Sequence, residues 1–103
     1  MMRDVFLKWN EKNKNKLAET GVNLDCILIP EEITNNNCVS VDYLTEKCFG
    51  RVSVWETGNI DVEILDIESE VSLFYECYEC DNQTDFERLL IKFFNVLRTG
   101  KSN

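Results

Sequence analysis

Gly50-Arg51-Val52-Ser53-Val54-Trp55-Glu56-Thr57-Gly58-Asn59-Ile60-Asp61-Val62-Glu63-Ile64-Leu65-Asp66 holds two runs of apolar–polar alternation around a single turn. Side chains on a strand point alternately to its two faces, so Val52 and Val54 share one face while Arg51, Ser53 and Trp55 share the other. Ile60, Val62 and Ile64 repeat the pattern against Asp61 and Glu63. Alternation on both sides of Thr57-Gly58-Asn59 predicts an antiparallel hairpin with one face in the core.

Working outward, Asp66 to Glu70 forms a polar turn, and Val71, Leu73, Tyr75 and Cys77 alternate as the last strand of a meander. Upstream, Val39, Val41 and Tyr43 read as a short strand. Val22, Leu24, Cys26 and Leu28 read as another, stopped by Pro30 and followed by a loop from Glu31 to Asn37. A helix is expected over residues 3–20, with Val5, Phe6, Trp9 and Leu17 near one face, its Lys/Asn/Glu-rich run in solvent, and Gly21 as C-cap. Thr84-Asp85-Phe86-Glu87 reads as a capping box with Thr84 as N-cap. It opens a second helix with the stripe Phe86, Leu89, Leu90, Phe93, Leu97 and a stop at Gly100. Consecutive strands bracketed by helices predict an α+β fold: an antiparallel meander of about five strands flanked by N-terminal and C-terminal helices. With no repeat and no linker, residues 1–103 are expected to form one domain.

Histidine is absent from the 103 residues, which removes the commonest general base, the commonest metal ligand and every Ser-His or Cys-His nucleophile. The four glycines are isolated, so no phosphate-cradling loop exists. Cys77-Tyr78-Glu79-Cys80 has the spacing of a zinc or redox pair. Zinc would need two further ligands, and Cys26, Cys38 and Cys48 are scattered. Surrounding acids would raise rather than lower a thiol pKa. The cysteines therefore read as reduced structural residues, with Cys26 and Cys77 in phase with the core. No catalytic residue, metal or cofactor is assigned, and the chain is expected not to be an enzyme. No apolar stretch reaches the length of a membrane span and no secretory leader is evident, so a soluble cytoplasmic protein is expected.

The formal net charge is −8, and its distribution is uneven. Residues 1–20 carry five bases against three acids, whereas residues 56–87 carry eleven acids and no base. Such a stretch repels itself and repels nucleic acid, but it attracts a basic protein. The hairpin concentrates the candidate partner-binding residues: Trp55, Glu56, Asp61, Glu63, Asp66 and Glu68. Trp55 lies out of phase with the core valines, so it is either covered by one of the helices or left as an exposed anchor.

The block from Gly50 to Asp66, with its Val-Trp-Glu-Thr-Gly and Asp-x-Glu elements, resembles the core signature of the TriTu family of bacterial immunity proteins. The N-terminal helix with Trp9 and the amphipathic C-terminal helix extend the resemblance over most of the chain. It implies a protein encoded beside a polymorphic or contact-dependent growth-inhibition toxin, which binds and neutralises the toxin's C-terminal domain. Many such domains are nucleases with basic surfaces, for which dense carboxylates compete, so a nuclease partner is expected. The bound form is expected to be a monomer. A small acidic secretion chaperone or adaptor is the alternative reading.

Overall fold

The central hairpin forms as its alternation requires. In a computed structural model describing residues 2–29 and 37–101, β3 (Cys48–Trp55) pairs with β4 (Asn59–Asp66). Val54 lies opposite Ile60, Val52 opposite Val62 and Gly50 opposite Ile64. Gly58 closes the turn at φ +96, where any Cβ would collide with the Cys80 carbonyl. The hairpin is extended by β1 (Asn23–Leu28) and β2 (Cys38–Leu44) on one side and β5 (Ser72–Glu79) on the other. The sheet is an antiparallel meander in the order β1-β2-β3-β4-β5, giving an α+β fold.

One face of this sheet is covered. Helix α1 (Met2–Glu19) lies on it beside the short α2 (Phe86–Leu89) and α3 (Ile91–Thr99). Val39, Val41, Tyr43, Val52, Val54, Ile60, Val62 and Ile64 are fully buried beneath the helices. The layer between is aromatic: Phe6 sits 5.1 Å from Phe86, Tyr43 5.3 Å from Phe94, and Trp9 6.0 Å from Phe94, centroid to centroid. Offset and edge contacts of this kind add to the energy of area burial. At Gly50 a Cβ would stand 2.8 Å from both Leu97 and Phe93, so the missing side chain lets α3 approach the sheet. The opposite face carries no helix among the described residues.

Several local expectations change. The helix N-cap is Asp85, whose carboxylate accepts from the backbone N–H groups of Glu87 and Arg88. Thr84 is not the cap, because its hydroxyl is engaged with Asp81 in the preceding turn. The expected single C-terminal helix breaks at Leu90 into α2 and α3. A bulge between Leu24 and Cys26 reverses the phase of β1. This turns Cys26 out of the core, to face Asp42. In β5 Leu73 packs against the core at a register shift, but from Tyr75 onward the odd residues face away from the helices: Phe74 opposite Ile64 is buried, while Tyr75 and Cys77 are exposed. Cross-strand pairing with β4 decided the phase of a strand whose two faces are both partly apolar. Cys26 and Cys77 are thus not core residues; Cys48 is.

Asn10 was expected in solvent with the polar run of α1, yet it is fully buried. Its amide donates to the Phe6 carbonyl at 2.9 Å and its carbonyl accepts from the Tyr43 hydroxyl. Both partners are satisfied, which is what makes a polar pair tolerable at that depth. Of the loop expected from Glu31 to Asn37, and the stop at Pro30, only Asn37 lies within the described residues.

Candidate functional site

The helix-free face of the sheet is built from the alternate residues of all five strands. One row across it runs Ser40, Ser53, Asp61, Cys77 and the next runs Cys26, Asp42, Arg51, Glu63, Tyr75. Phe49 and Leu65 follow below, while Trp55 lies at the other end of β3. Aromatic side chains, an arginine and scattered carboxylates thus alternate over one surface, a composition typical of binding anchors.

At the centre sits an ion pair. Asp42 is 4% exposed and accepts from Arg51 Nε at 2.7 Å and from Arg51 Nη2 at 3.0 Å, a bidentate fork. The Cys26 thiol donates to the same carboxylate at 3.4 Å, and that hydrogen bond, with desolvation, pushes the thiol pKa up. Asp25, Cys26 and Asp42 bring three ligand-type atoms within 4.8 Å of one another. Both Asp42 oxygens already accept from Arg51, so the arrangement fits an ion pair better than a metal centre. Neither Asp42 nor Arg51 stood out in the sequence. Their signal would have been opposite charges at facing outward positions of adjacent strands.

The eleven acids of residues 56–87 divide into two groups. Glu56 pairs with Arg3 at 2.8 Å, Glu76 with Lys92 at 3.1 Å and Glu87 with Lys16 at 2.5 Å. Asp66 accepts from the Ser69 backbone N–H at 2.8 Å and hydroxyl at 2.7 Å, which lowers its pKa. Asp81 and Asp85 cap the turn and helix that follow β5. Glu63 faces Arg51 across the hairpin and takes a long 3.4 Å contact from Ser72. The stretch therefore lacks bases only along the sequence; α1 and α3 supply three of them in space. The side chains of Asp61, Glu68, Glu70 and Glu79 have no hydrogen-bond or ion-pair partner among the described residues.

The six residues singled out from the sequence therefore separate. Trp55, Asp61 and Glu63 come together on the open face. Asp66 and Glu68 lie at the opposite end of the eight-residue β4, in and beside the β4–β5 turn. Glu56 turns toward α1, where Arg3 holds it. Trp55 is half-buried, no described helix covers it, and its indole N–H has no partner among the described residues. Beside it a shallow depression of about 700 Å³ is lined by Trp55, Asn59, Asp61, Cys77 and Glu79. Glu79 was not foreseen; the phase of β5 places it on this face.

Residues 4–96 match the family described as Immunity protein TriTu. The chain belongs to that family. Its function is accordingly immunity, and the partner implied is a toxin protein. No curated protein matches this TriTu chain significantly. No described helix is long and apolar enough to cross a membrane.

Proposed function

We propose that this TriTu protein neutralises a nucleic-acid-cleaving toxin domain of a contact-dependent or related polymorphic system, in the cytoplasm, by seating the helix-free face of its sheet on the toxin's basic surface. The observation that supports this most is the set of carboxylates on that face with no partner among the described residues, beside a Trp55 that no described helix covers. A nuclease grips phosphates with Lys and Arg, and those groups are attracted to such a face. Trp55, Asp61 and Glu63 form the centre of the interface. Asp66 and Glu68 lie at its edge and act through long-range attraction, whereas Glu56 acts by holding α1 to the hairpin. Immunity proteins work by binding rather than catalysis, and the lack of histidine accords with that.

The test is co-expression with the toxin domain encoded beside the gene, followed by rate measurements on the purified pair. Cells should be rescued. Asp61→Lys/Glu63→Lys should slow association by about tenfold at low salt and much less at physiological salt, because exposed charges act through steering that salt screens. Unchanged rates at both salts would move the interface to another surface. A complex that forms without rescuing cells would favour the adaptor reading.

A further inference from the structure

The division of the acids locates a more specific device. Carboxylates that the fold uses are held by Arg3, Lys16, Lys92, Ser69 or helix and turn N–H groups. Of the four with no partner among the described residues, Glu68 and Glu70 stand exposed in the β4–β5 turn. The other two, Asp61 and Glu79, line the same depression as the Trp55 ring. Asp61 lies opposite Cys77 and Glu79 opposite Asn59, so the two carboxylates are diagonal neighbours, about 7–8 Å apart at the backbone. That spacing leaves room for one planar group between them.

From this juxtaposition we infer that the Trp55–Asp61–Glu79 depression is a receptor for a single guanidinium: an arginine side chain projecting from the toxin. A guanidinium presents donors along its edges to two carboxylates and its face to an indole, whereas an ammonium offers a point charge and no plane to stack. Two acids without a resident base leave the site short of one to two positive charges, which an arginine supplies. The second large concavity, about 490 Å³ between α1 and α3, offers no such deficit. Its Lys16 is held by Glu87 and its Arg98 by Asn95.

The identity of the occupant rests on the immunity reading; the guanidinium chemistry can be tested on the chain alone. In the amide-correlation NMR spectrum, Trp55 and the partly buried Trp9, which lies on the helix side of the sheet, should give separate indole N–H signals. Titration with N-acetyl-arginine amide should shift the Trp55 signal saturably and leave Trp9 in place. N-acetyl-citrulline amide, the neutral isostere, should not. Asp61→Asn/Glu79→Gln should cut the shift at least about fivefold, while Glu19→Gln/Glu46→Gln, which removes the same charge elsewhere, should preserve it. Equal shifts with citrulline, or a full shift in the first double variant, would overturn the receptor. Against the toxin domain, Asp61→Asn/Glu79→Gln should weaken Kd at least about 30-fold and the control pair less than about 3-fold. Equal losses in the two pairs, with wild-type rescue intact, would sink the receptor and spare the immunity function. Arginine binding without rescue from any toxin would do the reverse.

Discussion

The two faces of the sheet are made from the same strands and spend their side chains differently. On the helix side, buried apolar residues and edge-contacting rings leave little that is not packed, and the polar pair Asn10–Tyr43 is satisfied internally. On the open side, one carboxylate is locked by Arg51 while Asp61, Glu79 and the Trp55 indole have no partner among the described residues. A face that folding completes is a scaffold. A face with leftover bonding capacity is available to a partner.

That contrast breaks most readily in the core. Phe93 is fully buried against Tyr43, Phe74 and Phe94, so Phe93→Ala should cost about 3–5 kcal/mol of stability. Denaturant melts would measure the loss, and the toxin affinity of the remaining folded fraction should not change. A loss well under 1 kcal/mol would mean that the helix side is not the tightly packed layer described.

Arg51 sharpens the comparison because it breaks the simple division, being structural yet on the open face. Arg51→Met leaves Asp42 buried beside a single thiol donor. It should cost about 2 kcal/mol, and Arg51→Met combined with Asp42→Asn should recover part of that loss. If the single variant is as stable as wild type, the pair is held in place for a partner and belongs with Trp55.

The smallest effect lies at the border between the faces. Glu76 donates no proton to the fold; its carboxylate accepts from Tyr78 and Lys92, in that order of influence, and its pKa is lowered from 4.5. A lowered folded-state pKa stabilises above the unfolded value and is lost as pH falls through the folded one. Glu76→Gln should therefore cost about 0.3–0.5 kcal/mol at neutral pH, since the pair is solvent-exposed. It should flatten the fall in Tm on acidification below the ordinary carboxyl range. An acid limb identical to wild type would show that the Lys92 contact contributes nothing.

Much of this architecture is legible in the amino-acid sequence. Alternation through Val52–Ile64 specified the hairpin and its inward face, and the capping and stripe signals placed the two ends of the C-terminal helical segment to within a residue but not its break at Leu90. Legibility failed where one residue of phase matters. A bulge, as at Leu24–Cys26, leaves no mark in hydropathy. In β5, Phe74 and Tyr75 are comparably apolar, so only the partner strand tells them apart. The acidic segment was visible as a charge run, yet which acids were free was not. That depends on bases such as Arg3 and Lys92, brought in from distant parts of the chain. Parity placed Trp55, Asp61 and Glu63 together on the open face, whereas the position of Glu79 on that face was missed for the same β5 reason.

The meander has one further consequence, for the order in which the chain takes shape. Each strand pairs with the next in sequence, so the sheet has a low contact order and can zip as it leaves the ribosome. The first helix cannot finish docking then, because Phe6 and Trp9 pack against Phe86 and Phe94, which follow all five strands in the chain. The helix layer thus closes only after Phe94 has been made, by which time the strands that carry Trp55, Asp61 and Glu79 have already been synthesised.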